Sequence, residues 1–187
     1  MYIKTINLLT SLFSLIPLSI VALFTRLIKV QSNGKSLRLV FGSIAILNNH
    51  YWSKSMKNLG YNSNTFVFSY FKEISKRSDW DYVLSDCYKL VPYRLRVFLA
   101  FAESLFKYDV FVLSYRGFFL QKTFLRYFQA QLLRIANKKI IIIPYGSDAF
   151  VYGNIRSTSC AHALMISYPL ASRQQSSILK DVIYWKS

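Results

Sequence analysis

Lys138-Lys139-Ile140-Ile141-Ile142-Ile143-Pro144-Tyr145-Gly146-Ser147-Asp148 is the stretch on which the fold turns. Four successive isoleucines closed by a proline predict a strand over 140–144. A run that is apolar at every position, not at alternate ones, implies burial on both faces, as in a parallel sheet. Parallel strands need crossover connections, usually helical, and the rest of the chain supplies them. Leu37 to Ser43 reads as a buried strand ending in Gly42-Ser43, and Ile44 to Leu59 as a helix closed by Gly60. Thr65 to Tyr70 is a second strand, rich in aromatic residues. A mixed polar connection over 71–90 holds a short element near Tyr82 to Leu84. A helix from Pro92 to Phe106 starts with proline in its first turn. Asp109 to Ser114 is a strand, Tyr115-Arg116-Gly117 a turn, Gln121 to Ala136 a helix, and the last helix runs from Pro169 to Leu179 and onward. The alternation predicts an α/β fold, a Rossmann-like parallel sheet flanked by helices.

Outward from that domain, the N-terminus is of another kind. From Thr5 to Thr25 no residue is charged, and no acid appears before Glu73, although Lys4, Arg26, Lys29, Lys35 and Arg38 precede it. The expected organisation is a membrane-associated apolar helix over 1–30, a linker over 31–36 and a single Rossmann-like domain over 37–187. Three readings of the apolar segment stand open: a spanning helix, a helix lying in the interface, and a cleaved signal peptide. Thr25-Arg26-Leu27-Ile28-Lys29 is a poor cleavage site. Asn7, Thr10, Ser11 and Ser14 share one helical face, with Thr25 near it. Such a stripe faces headgroups or another protein segment. Basic residues after the apolar run predict that the domain lies on the cytoplasmic face of the cell membrane, peripheral, monotopic or single-pass.

Composition narrows the partners. The 24 bases and 8 acids leave a net charge of +16, which favours polyanions. Near an anionic leaflet each Lys or Arg adds roughly 1 kcal/mol, so anionic membrane lipid is an expected partner. Nucleic acid is not, because the aromatic residues fall in buried strand and helix patterns, not in an exposed series interleaved with bases. Lys122, Arg126, Arg134 and Lys138 form a basic ridge if 121–139 is one helix. Cys87 and Cys160 lack metal-ligand spacing and read as two buried, reduced thiols, so no metal is expected.

Ligands of open parallel sheets bind beyond the carboxyl ends of the strands, which selects three loops. Gly42-Ser43, leading to Asn49 and His50, is either a ligand-approach site at a helix N-terminus or a tight strand-to-helix turn; His50 is a base or a packing residue. Arg116-Gly117 followed by Phe118-Phe119 is a phosphate-gripping turn with an apolar lining, or a solvated arginine beside two core phenylalanines. Gly146-Ser147-Asp148 carries one of the chain's few acids, placed to bind a sugar hydroxyl, to act as a base or to cap the backbone.

Taken in order, these segments resemble the N-terminal, acceptor-side half of GT-B glycosyltransferases of bacterial surface-polysaccharide biosynthesis. The likeness covers about residues 37–187. It rests on Gly42-Ser43, on Asn49-His50-Tyr51-Trp52 leading to Leu59-Gly60-Tyr61, and on Tyr108-Asp109-Val110-Phe111 before Arg116-Gly117-Phe118. It also rests on Lys138 to Asp148, where Tyr145 stands at the family's usual histidine. The resemblance implies transfer of a sugar from a nucleotide-sugar donor to a polyprenyl-diphosphate-linked or saccharide acceptor, with no cofactor. Asp148 and His50 would be catalytic, and Gly42, Ser43, Asn49, Arg116, Gly117, Gly146 and Ser147 would bind the acceptor. The donor-binding half of that family has no counterpart in these residues. The implied enzyme is therefore a truncated product, or a lobe served by a separate donor-binding subunit. The alternative is a non-catalytic membrane-anchored subunit or fragment.

Overall fold

The structure, a computed structural model, describes residues 2–28 and 37–186; the linker expected at 31–36 lies outside them. The chain divides into two compact units. The first comprises residues up to Leu113 and Gly117–Ile141, the second Ser114–Arg116 and the residues from Ile142 onward.

The first unit holds a five-stranded parallel sheet: β1 (Arg38–Ser43), β2 (Asn62–Val67), β3 (Tyr82–Val83), β4 (Val110–Leu113) and β5 (Lys139–Ile142), the last residue of which belongs to the second unit. The strand order is β3-β2-β1-β4-β5. Leu39 pairs with Ser63 on one side and Val110 on the other, which fixes β1 as a central strand. Chain growth reverses direction between β1 and β4, which makes their ends the switch point of the sheet. At the amino end, Arg38 grips Asp109 with two N–H groups, each at 2.9 Å, and ties β1 to β4. Asp81 accepts hydrogen bonds from the Thr65 N–H (2.8 Å) and hydroxyl (3.1 Å), which holds the short β3 on β2.

Helix α2 (Leu47–Asn58) packs against β1 and β2 and ends where Gly60 takes φ +86°. Helix α3 (Tyr93–Lys107) starts directly after Pro92, and the Arg96 guanidinium secures the preceding loop by donating to the Val91 and Lys89 carbonyls. Its buried stripe, Phe98, Phe101 and Leu105, enters the core. Phe118 lies edge-on to Phe66 and Phe111 and tilted against Phe101, and Phe119 lies edge-on to Phe66 at 4.5 Å. Phe118 and Phe119 are therefore core residues. The alternative in which they line a ligand site does not hold.

Two expectations are corrected here. The helix expected over 121–136 is broken. Phe119–Lys122 and Arg126–Phe128 are single 3-10 turns, and α4 spans only Gln129–Ile135. The Thr123 hydroxyl accepts the Leu125 N–H and donates to the Leu120 carbonyl, which diverts the backbone from a helical ladder. The basic ridge, which needs one continuous helix, goes with it. The isoleucine strand is not buried on both faces either. It lies at the edge of the sheet, and Ile141 is 46% exposed.

The N-terminal helix α1 (Tyr2–Leu27) continues through Pro17 and packs on α3 and α4. Over Thr10–Leu27 it is long and apolar enough to cross a membrane.

The second unit contains 3-10 turns at Gly146–Ala149 and Tyr152–Asn154, followed by α5 (Thr158–Ser167), α6 (Pro169–Arg173) and α7 (Gln175–Lys186). Its core is Tyr152, Ala171, Ile178 and Val182. The Gln175 amide accepts the Tyr152 N–H at 2.9 Å and donates to the Phe150 carbonyl at 2.8 Å, joining the turn to α7. The two cysteines are free, but Cys160 is exposed and Cys87 half-buried, so the expectation of two buried thiols fails. Burial still pushes the Cys87 thiol pKa up.

Candidate functional site

At the carboxyl end of β1, Gly42 lies so close to β2 that an added Cβ would sit 2.2 Å from the Phe66 carbonyl oxygen and 3.1 Å from the Phe118 ring. The space a glycine leaves here is filled by the protein itself. Ser43 is buried, and its hydroxyl accepts a long 3.5 Å hydrogen bond from the Gln121 amide. Asn49 is fully buried and donates to the Ile44 carbonyl, which closes the β1–α2 loop. His50 is half-buried; its Nδ1–H donates to the Asp79 carbonyl at 2.6 Å and its ring lies edge-on to Trp80. A carbonyl only accepts, so this bond requires a proton on Nδ1. These four residues thus hold the β1–α2 segment and its neighbours in place.

Gly117 takes φ +86°, and an added Cβ would strike the Gln129 side chain at 2.3 Å. Gln129 is fully buried. Its Oε1 accepts the Phe118 N–H at 2.9 Å and its Nε2 donates to the Arg126 carbonyl at 3.0 Å. Gly117 is required by that packing.

Among the residues singled out from sequence, Arg116, Gly146, Ser147 and Asp148 all fall within the second unit, and the Arg116 charge acts on the Asp148 carboxyl. Asp148 is half-buried, and its Oδ1 accepts the Tyr145 N–H at 2.7 Å. Burial is the largest influence on its carboxyl and raises the pKa above the ordinary value. Backbone N–H groups of Tyr145 and Tyr115 and the Arg116 charge pull the other way without cancelling it. Arg116 is exposed. Gly146 starts this turn at φ +55° with open space where a Cβ would stand. Ser147 belongs to the same 3-10 turn. The arrangement is a carboxylate with elevated proton affinity within electrostatic reach of an exposed guanidinium, suited to taking a proton from a hydroxyl near an anion.

One residue in this assembly carried no sequence signal. The Trp185 indole N–H donates to the Tyr115 carbonyl at 2.7 Å and so holds the turn that carries Arg116. A pairing across that sequence distance is set by tertiary structure alone.

Each of two cavities is confined to one unit. One of about 190 Å³ in the first is walled by Phe66, Tyr82, Tyr88, Tyr108, Glu103 and Lys107; His50 and Gly42 do not line it. One of about 420 Å³ in the second is walled in part by Tyr152, Met165, Gln175 and Leu179, without Asp148 or Arg116. Among the described residues, no three His, Cys, Asp or Glu side chains gather as a metal site. Compared with family models, curated proteins and solved structures, the chain matches none.

Proposed function

We propose that this chain is a membrane-associated, acceptor-side lobe of a GT-B-type glycosyltransferase with a Rossmann-like sheet, acting on the cytoplasmic face of the membrane. The observation that carries the reading is Asp148. It is one of few acids in a basic chain, it feels the Arg116 charge, and its proton affinity is raised by burial. In this reading Arg116 holds an acceptor phosphate and Asp148 takes the proton from the attacking hydroxyl, while Gly146 and Ser147 shape the turn. A polyprenyl-diphosphate-linked sugar suits the apolar α1 and the basic surface together. The nucleotide sugar is a substrate presented by a donor-binding domain or partner, and the product belongs to polysaccharide biosynthesis.

Asn49 and His50, bonded within the fold, favour a second reading, a non-catalytic subunit that recruits such a partner. The two are separated by sugar transfer on membranes, with nucleotide sugars scanned in the presence of the neighbouring gene product. Under the first reading Asp148→Ala lowers turnover by about 10²-fold or more. Unchanged turnover in an active complex removes Asp148 from the chemistry and leaves the recruiting role.

A further inference from the structure

Helix α1 is turned inside out relative to an ordinary surface helix. From Thr10 onward the residues it buries are Ser11, Leu18, Ala22 and Thr25, spaced to form one stripe, and three of these four are small or hydroxylated. The Thr25 hydroxyl donates to the Ala22 carbonyl and the Ser14 hydroxyl to that of Thr10, so these groups enter the seam already bonded. The opposite face is made of Phe13, Ile16, Ile20, Leu23, Phe24 and Leu27, all more than half exposed, with Phe13 at 77% and Leu27 at 81%. A water-facing helix shows the reverse pattern.

The apolar face does not stop at α1. Leu95, Leu99 and Phe106 are exposed on α3 at spacings of four and seven, which places them on one side of that helix. Phe24 meets Phe106 edge-on at 6.4 Å and joins the two surfaces. At 26 residues α1 is about 39 Å long, enough to cross a bilayer. Its buried stripe, however, runs from Ser11 to Thr25, so most of its length is fastened along the domain. Crossing in that arrangement would carry α3, with Arg94, Arg96, Glu103 and Lys107, into hydrocarbon.

We infer that α1 and the outer stripe of α3 form one in-plane surface that embeds in a single anionic lipid leaflet, with α1 parallel to the membrane and not across it. Charge selects the occupant. Helix α1 and α4 contain no acid, and the one acid of α3, Glu103, is paired with Lys107 and accompanied by Arg94 and Arg96. The inference shares the membrane placement of the proposed function and none of its chemistry. A binding experiment without sugar therefore separates the failure of one from the failure of the other.

The test uses the full chain and vesicles of equal parts phosphatidylcholine and phosphatidylglycerol, with lipids brominated at shallow or deep positions. Ile20→Trp and Leu99→Trp are expected to add fluorescence quenching over the parent chain, stronger with shallow bromines in both variants. Leu95→Glu with Leu99→Glu, at exposed positions where circular dichroism reports an unchanged fold, weakens vesicle partition by about tenfold or more. A spanning α1 instead gives deep quenching of Ile20→Trp, none of Leu99→Trp, and wild-type binding of the double glutamate variant; that result overturns the inference. Equal partition into pure phosphatidylcholine overturns the anionic leaflet as occupant. A dimer that ignores vesicles overturns the lipid assignment altogether.

Discussion

Gly42→Ala tests whether the glycine at the end of β1 serves the sheet. The new Cβ starts 2.2 Å from the Phe66 carbonyl oxygen, and real Cβ atoms do not come within 3.0 Å of such an atom. One strand must therefore move by at least the difference, about 0.8 Å. The obstacle is backbone, and Gly42 pairs directly with Phe66, so no rotamer change relieves it. The Phe118 ring, 3.1 Å away and fully buried, blocks retreat on another side. Overpacking of this kind costs about 3 kcal/mol. With a urea slope of about 2 kcal/mol per molar, the midpoint falls by about 1.5 M. The assay is urea unfolding in mild detergent, followed by fluorescence attributed to Trp80, which is buried against Val67 and Val83 in the same unit. Gly153→Ala is the control: its Cβ meets nothing within 4 Å and its backbone is not left-handed, so stability stays within about 0.5 kcal/mol. A Gly42→Ala midpoint equal to that control would refute the close approach of β1 to β2 and return Gly42 to the candidates for ligand contact.

Two further predictions concern charge. Arg38 holds the Asp109 carboxyl below its ordinary pKa although burial alone would raise it. The bond therefore stabilises the fold above the unfolded-state pKa and is lost as pH falls through the depressed native value. Asp109→Asn costs about 1 kcal/mol at neutral pH, a modest figure because both side chains are partly exposed, and nothing at strongly acidic pH; thermal melts across the acid range check this. Asp148 has the opposite sign. Its native pKa is raised, so its contribution favours the fold at low pH and is lost as pH rises from the unfolded value of 3.8 through the native one. A carboxyl carbon titration by NMR places its midpoint above 3.8, and Asp148→Asn flattens stability across that window.

Local pattern made much of the fold legible. The β1 and β4 runs, the Gly60 stop after α2 and the Pro92 start of α3 follow from burial, left-handed backbone and a fixed φ, each written within a few residues. The isoleucine strand was legible as a strand but not as an edge, because strand order is set by crossovers outside the strand. Helix α5 was missed because its apolar residues show no helical periodicity, and its start is marked only by Ser157 accepting the Cys160 N–H. The 121–136 helix was overread because Thr123 and Gln129 take backbone partners that a pattern of apolar spacing does not register. Of the site, the loops carrying Arg116 and Asp148 were marked from sequence, but the action of the Arg116 charge on Asp148 is set by tertiary structure. The structural duties of Asn49, His50 and Gly117 depend on Ile44, Asp79 and Gln129 as neighbours, and pairings of that kind are visible only in three dimensions.

The inverted helix has a consequence for biogenesis. Its seat is built by α3 and α4, which leave the ribosome long after it does. At ordinary elongation rates the interval is on the order of ten seconds. Throughout that time a bare greasy rod has no protein to rest on, and nascent chains in that condition are captured by a bilayer or a chaperone. If the leaflet placement inferred above holds, lipid is the surface this segment meets before its own seat exists, and the folded body settles onto it afterwards.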